Sequence, residues 1–208
     1  MTPEAALDRG LAELGLALPD PARGQLLRYL ELLSKWNRTY NLTAIRDTGQ
    51  MVSHHVLDSL AVVPHLARGR LADVGSGAGL PGIPIAIAQP ERDVVLNDAS
   101  EKRAAFLRQA VIELALPNAR VHAGRVEHWQ PRERFAVVIS RAFAQLAQFI
   151  AACRHLLAPG GVLAAMKGVL PVGELARAPT DAHCDQVVQL TVPLLGEARH
   201  LVLCRAGG

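Results

Sequence analysis

The stretch whose residue types and spacing bear most directly on chemistry is Asp73-Val-Gly75-Ser-Gly77-Ala-Gly79-Leu80-Pro-Gly82. It follows the short apolar run Leu71-Ala-Asp-Val74 and opens a run that reads as a helix, so it lies where a strand hands over to a helix. Glycine is required in such a turn because the chain bends tightly and a ligand must reach the backbone without meeting a Cβ. Asp98 follows the next strand, and an acid at that place can accept hydrogen bonds from both hydroxyls of a ribose. Strand, loop, helix and acid in this order imply an adenosine-containing cofactor across the carboxyl ends of the first two strands, held by Gly75, Gly77, Gly79 and Asp98. The spacing Gly-x-Gly-x-Gly departs from the Gly-x-Gly-x-x-Gly that seats a pyrophosphate on a helix N-terminus. Asp73, two residues before the first glycine, would repel a pyrophosphate and favour a cationic sulfonium and ammonium, which points to S-adenosylmethionine over NAD. Asp73 as a cap on the loop's own amides is the competing reading, and both stand.

Other polar residues fall at strand ends or in the helical N-terminal part. Arg141 and Phe143 follow the fourth strand: Arg141 contacts cofactor or substrate, or ties a loop to an acid, and Phe143 packs on a base or belongs to the core. Lys167 ends the fifth strand, as a phosphate or guanine O6 contact or as a solvated lysine. Asn37, Asn41, His55, Asp58 and Ser59 sit among Trp36, Tyr40 and Leu60, either as a hydrogen-bonded brace that shapes the pocket mouth or as a closure over the cofactor. Adjacent His54 and His55 point about 100° apart on a helix, so they are not a metal pair, and no metal site is expected.

The elements that must position these residues divide the chain in two. Residues 1–66 read as a helical extension. Thr2-Pro3 starts a first helix that Gly15 ends; Asp20-Pro21 starts a second that runs through Leu26, Leu30, Leu33 and Tyr40; a third covers Met51 to Leu66 until Pro64 bends or ends it. Residues 67–208 alternate strand and helix. Strands are expected at Leu71–Val74, Asp93–Asn97, Arg120–Ala123, Phe135–Ser140, Val162–Lys167, Gln186–Val192 and His200–Arg205, with helices at Leu80–Gln89, Ser100–Leu116, Leu146–Leu157 and Val172–Ala178. This is an α/β pattern: a mainly parallel seven-stranded, Rossmann-like sheet covered by helices on both faces, with an antiparallel last strand of the kind found in methyltransferases.

Composition narrows the class further. The 208 residues are 50% hydrophobic and 20% charged, enough for one well-buried core. No apolar run reaches the roughly 20 residues of a membrane span, and the N-terminus lacks a secretory pattern, so a cytoplasmic protein is expected. Three scattered cysteines argue for a reducing compartment and against a disulfide framework or zinc site. A net charge of +3 tolerates a polyanionic partner without requiring one, and 4% aromatics offers no obvious base-stacking platform. Arg23, Arg28, Lys35, Arg38, Arg46, Lys102, Arg103 and Arg108 are either an RNA-facing surface or scattered solvated charges.

Six segments together resemble one family, the bacterial 16S ribosomal RNA guanine-N7 methyltransferases, also called glucose-inhibited division protein B. They are Trp36-Asn37-Arg-Thr-Tyr40-Asn41-Leu-Thr43, His55-Val-Leu-Asp58-Ser-Leu60, the glycine loop through Pro84, Ser140-Arg141-Ala-Phe143, Lys167-Gly168 and Glu197-Ala-Arg-His200, in family order over nearly the whole chain. The resemblance implies methyl transfer from S-adenosylmethionine to N7 of one guanosine in 16S ribosomal RNA, free or in a small-subunit assembly particle, by a monomer away from membranes. It also implies cofactor contacts by Gly75, Leu80, Val126, Glu127 and Arg141. The segment Leu96-Asn97-Asp98-Ala99-Ser100-Glu101 departs from the family's usual apolar residue, Asp-Ser and glycine.

Guanine N7 carries an in-plane lone pair and no proton, so no general base is expected; the enzyme's task is to align N7, methyl carbon and sulfur. That agrees with the absence of an Asn/Asp-Pro-Pro-aromatic motif. Three other readings are a methyltransferase acting on another RNA or a small molecule, an NAD-dependent oxidoreductase, and a nucleotide-sensing RNA-binding module. The loop spacing and the lack of a Tyr-x-x-x-Lys set disfavour the oxidoreductase, and the intact loop disfavours the module.

Overall fold

A computed structural model describes residues 1–206 apart from Ala142 and Ala144. Helix α1 (Pro3–Glu13) starts where the Thr2 hydroxyl accepts from the Ala5 amide at 3.3 Å and Pro3 fills the first turn. Helix α2 (Asp20–Tyr40) repeats the proline start and stops at Asn41, whose φ of 49° breaks the ladder. Leu26, Tyr29, Leu30 and Leu33 form its buried stripe. Fully burying such a side chain stabilises by roughly 1.5–3 kcal/mol.

The third helix is not the uniform element expected over Met51 to Leu66. It begins earlier, as α3 (Thr48–Met51), capped by Asp47 on the Gln50 amide, and widens into a π-helical stretch, Val52–Leu57. It closes as α4 (Asp58–Leu60), and Pro64 then sits in a 3-10 turn, Val63–His65.

Beyond it, seven strands form one sheet: β1 (Leu71–Val74), β2 (Val94–Asp98), β3 (Ala119–Ala123), β4 (Phe135–Ser140), β5 (Leu157–Lys167), β6 (Ala182–Leu190) and β7 (Arg199–Ala206). Their order is β3-β2-β1-β4-β5-β7-β6, parallel throughout except β7, which runs antiparallel to both neighbours. Because β7 is reversed, its first residues lie at the carboxyl end of β5, with His200 opposite Lys167. The order reverses between β1 and β4, the place where doubly wound sheets open a crevice for a ligand. Strand β5 begins five residues before the expected Val162, and β6 starts four before Gln186; glycines and polar residues at Ala158–Gly161 and His183–Asp185 carry no strand pattern of their own.

Alternate strand residues bury on two faces. Leu71, Leu96, Ile139, Met166 and Leu201 pack under the N-terminal helices, α5 (Gly82–Ala88) and α6 (Glu101–Glu113), in one continuous core that includes Leu7 and Leu33. Val74, Val95, Val138, Ala165 and Val202 face α7 (Leu146–Cys153) and Trp129. The short α8 (Val172–Leu175) follows β5. A disulfide joins Cys184 and Cys204 across β6 and β7, contrary to the expectation from the cysteine count: the hairpin brings together two residues that lie 20 apart in the chain. Among the described residues, no helix is long and apolar enough to cross a membrane.

Candidate active site

The glycine loop leaves β1 at the crevice. Gly75, Gly77 and Gly79 have φ of 67°, 58° and 87°, a left-handed region where a side chain is strained. Gly82 is needed for a different reason: a Cβ there would lie 2.3 Å from the Leu96 side chain and 2.7 Å from Asp73 Oδ2. Asp73 is wholly buried and caps the turn, with Oδ2 accepting from the Ser76 hydroxyl and, at 2.9 Å, from the Gly82 amide. The capping reading of Asp73 therefore describes one of its oxygens. The other, Oδ1, is buried with no hydrogen-bond partner within the described residues. Burial pushes this carboxyl up to about 6 against the pull of the Ser76 and Gly82 bonds.

Asp98 ends β2 beside the loop. Its Oδ2 accepts from the Gly77 amide and its Oδ1 from the Ser100 amide, each at 2.9 Å, while Arg103 stands 3.7 Å away. A carboxylate has about four acceptor positions, so two remain for a ligand. The unusual Asn97 is buried and donates to the carbonyls of His122 and Gly124, which ties β2 to the turn after β3. That turn carries Val126, which is buried, and Glu127, whose carboxyl is held low by its own backbone amide and Arg125.

From the other side, α2 reaches the same loop: the fully buried Tyr29 donates to the carbonyl of Ala78 at 2.7 Å. The N-terminal helices thus hold the glycine loop directly.

At the carboxyl ends of β4 and β5, one strand over from the loop, lies a cleft of about 410 Å³ lined by residues including Ile45, His55, Arg141, Met166, Lys167 and Arg199. Asp58 stands at its base, almost fully buried, with Oδ2 at 3.3 Å from Arg141 Nη1 and Oδ1 at 3.2 Å from Arg199 Nε. Burial pushes the Asp58 carboxyl up, and the two guanidiniums pull it back. Arg141 also donates to the His54 carbonyl at 3.1 Å.

Lys167 is not the solvated lysine of the blander reading: its ammonium lies 2.8 Å from Glu174 and donates to the Phe143 carbonyl at 3.2 Å. The Phe143 ring packs 5.3 Å from Phe149, on the core side. Asn37 braces the chain after α2, accepting from the Thr43 amide at 2.9 Å and donating to the Thr43 carbonyl at 3.0 Å. His55 Nε2 meets the Thr43 hydroxyl at 2.9 Å, and Asn41 serves as the stop of α2. Burial, then the charge of Arg141, holds the His55 imidazole down to about 4, so the ring is neutral. Among the described residues, no group of three or more His, Cys, Asp or Glu side chains gathers as metal ligands would.

The model of one protein family, described as rRNA small subunit methyltransferase G, matches residues 23–202. The Ribosomal RNA small subunit methyltransferase G of Laribacter hongkongensis is 56% identical over 196 residues, covering 94% of this chain and 95% of its own length. The protein of the same name from Nitrosospira multiformis is 49% identical, with both chains covered in full. The chain belongs to the rRNA small subunit methyltransferase G family. Solved structures agree on the fold: the O-methyltransferase TomG of Streptomyces achromogenes, in complex with SAM, superposes with a TM-score of 0.60 at 16% identity over the whole of both chains. The glycopeptide N-methyltransferase MtfA, complexed with S-adenosylmethionine, gives 0.54 at 12% identity over 74% of this chain and 88% of its own.

For this member of the methyltransferase G family, the structure gathers the expected residues into two adjoining groups. Gly75, Gly77, Gly79, Leu80, Asp98, Val126 and Glu127 surround the carboxyl ends of β1 to β3; His55, Asp58, Arg141 and Lys167 meet at the cleft. Asn37 stands behind the cleft wall through its bonds to Thr43, while Asn41 is exposed at the end of α2. Sequence reasoning assigned no role to Tyr29, Thr43, Glu174 or Arg199. Each joins its partner across a separation that no periodic pattern reports, although Thr43 and Arg199 lay within matching segments. Of the proposed RNA-facing basic residues, Arg23 is paired with Asp8 and Asp20, Arg103 with Asp98 and Arg108 with Glu101, while Lys102 lies 5.3 Å over the Tyr40 ring.

Proposed function

We propose that this protein is a cytoplasmic, monomeric enzyme that transfers a methyl group from S-adenosylmethionine to N7 of one guanosine in 16S ribosomal RNA, free or within a small-subunit assembly particle. Family membership over residues 23–202 supports the substrate class. The observation that carries the cofactor is the loop itself: three glycines at positive φ beside Asp98, with a buried Asp73 oxygen that has no partner among the described residues. This donor set fits a cationic, adenosine-containing molecule. Asp98 accepts from the ribose hydroxyls; Gly75, Gly77, Gly79 and Leu80 let the ligand lie against the backbone; Val126 and Glu127 flank the adenine; Asp73 favours the positive end; Arg141 meets the cofactor's carboxylate. S-adenosylmethionine supplies an electrophilic methyl group.

The chain's own residues align and exclude; they do not ionise the nucleophile. Guanine N7 needs no proton removed, and the side chains at the cleft are poor bases at neutral pH. His55 is buried and turned toward Thr43, Lys167 is paired with Glu174, and the arginines stay protonated. The cleft beside the loop receives the base, with Lys167 at its edge. Phe143 supports the wall through Phe149. Residues 1–66 act as an extension that holds loop and cleft to the methyltransferase unit of residues 67–208.

Incubation of the purified protein with labelled S-adenosylmethionine and 16S ribosomal RNA from a strain lacking this activity tests the proposal. Label is expected in a single N7-methylguanosine, located by chain cleavage at that base. Label at another atom, or equal labelling of free guanosine, would overturn it.

A further inference from the structure

Asp58 is almost fully buried and pairs with two arginines, one through each oxygen. It is the first residue after the π-helical stretch, and its amide donates to Ser53, five residues back, as well as to His55. The wide turn is frequently found at functional positions. Here the His54 carbonyl and the Asp58 carboxylate, four residues apart, both face Arg141. The same carboxylate reaches Arg199 with its other oxygen, so one buried group joins the end of β4 to the start of β7.

The two guanidiniums are not equivalent. Arg141 follows the strand next to β1, and its charge acts on the Asp73 carboxyl under the glycine loop. Arg199 opens the strand on the far side of β5, next to His200 and opposite the end that carries Lys167. In Arg199, Nε is taken by Asp58 and Nη1 by Glu197 and the Ala198 carbonyl. In Arg141, Nη1 is taken by Asp58 and His54. Among the described residues, Nη2 of each carries no bond, and both side chains line the cleft.

The chemistry says what those donors are for. Methylation at N7 leaves the guanine ring positive, so a guanidinium against the base would oppose the reaction, and a donor on N7 would occupy the attacking lone pair. Arginine's planar fork instead suits an oxyanion. S-adenosylmethionine has one, its carboxylate, and the target nucleotide has one, its phosphate.

We propose that Asp58 is a positioning residue that fixes Arg141 toward the cofactor's carboxylate and Arg199 toward the phosphate of the target nucleotide, so that a single buried carboxylate sets donor and acceptor in register. The proposal rests on the function proposed above. Without the charge, each guanidinium keeps its net charge but loses its fixed orientation.

The test is a pair of double-mutant cycles on the full chain. Asp58→Asn keeps the shape and removes the charge. S-adenosylmethionine affinity, by calorimetry, and the 16S rRNA concentration for half-maximal single-turnover rate are each expected to weaken roughly tenfold. In an Arg141→Gln background the effect of Asp58→Asn on cofactor affinity should shrink below about twofold, and in an Arg199→Gln background the effect on RNA should do the same. Additive losses in both cycles would mean that Asp58 only supports the fold, and would overturn the proposal. The wild-type protein gives a measurement that needs no variant. The Nε–H of Arg199 should appear in nitrogen-15 spectra as a slowly exchanging signal, and rapid exchange like that of a solvated arginine would also overturn it. A wild-type chain that binds S-adenosylmethionine but leaves 16S rRNA unmethylated would instead refute the proposed function.

Discussion

Acidification should destabilise this protein through His55, and comparison with His55→Gln isolates the effect. In the fold, burial and Arg141 hold the imidazole down to about 4, from an ordinary value of 6.5. Across that window the unfolded chain binds a proton that the native state refuses, so stability falls as the pH drops from 6.5 toward 4. At about 1.4 kcal/mol for each tenfold change in proton affinity, the loss is about 3 kcal/mol by pH 4. Asp73 acts in the opposite direction. Its folded value of about 6 lies above the ordinary 3.8, so the native state binds that proton more tightly and gains stability as the pH falls through the same range. The two contributions oppose each other in the wild-type profile, which is why the difference between proteins is the quantity to measure. Urea unfolding of wild type and His55→Gln, at about pH 7.5 and about pH 4, cancels Asp73. Wild type should lose about 3 kcal/mol more than the variant between those conditions. Equal losses would refute the placement of a neutral, buried imidazole at this position.

Three further outcomes follow from the loop. Gly82→Ala forces a Cβ against Leu96 and the anchored Asp73 carboxylate, and should cost about 1–3 kcal/mol in chemical unfolding; an unchanged midpoint would contradict the close approach. Tyr29→Phe removes the donor to the Ala78 carbonyl and should cost about 1–3 kcal/mol, with weaker S-adenosylmethionine binding by calorimetry because the loop loses its tie to α2. Asp98→Ala should leave a folded protein by circular dichroism whose cofactor affinity is lower by about 1.5–3 kcal/mol, and unchanged affinity would remove Asp98 from the site.

The local signals in the sequence were the ones that survived. Thr2-Pro3 and Asp20-Pro21 start helices because proline geometry, joined at Thr2 by a side-chain cap, acts within one turn. The glycine loop and Asp98 are legible because a strand, a tight turn and an acid are each set by near neighbours. The antiparallel β7 follows from the turn at Leu195-Gly-Glu197, and Gly196 has the positive φ such a turn requires. What could not be read depends on contacts across the fold. The π-helical widening at Val52–Leu57 has no compositional sign. Asp58 meets Arg199 across 141 residues, and Tyr29 meets Ala78 across 49, separations that leave no periodic trace. Lys167 stayed open between a ligand contact and a solvated strand end: the helix at Val172 was legible, but not that it folds back to set Glu174 against the end of β5. Cys184 and Cys204 looked unrelated because their pairing depends on the register of β6 against β7.

The proposed alignment of guanine N7 with the methyl group, with no base, is tested most directly by the pH dependence of the single-turnover rate. With saturating S-adenosylmethionine and 16S ribosomal RNA, the rate constant should be flat within about twofold between about pH 6.5 and 9, where His55 is neutral and the arginines are charged. A limb rising tenfold per pH unit, lost on replacing His55 or Glu127, would show that a side chain removes a proton in the rate-determining step. Neither the lone-pair mechanism nor N7 as the target would then stand.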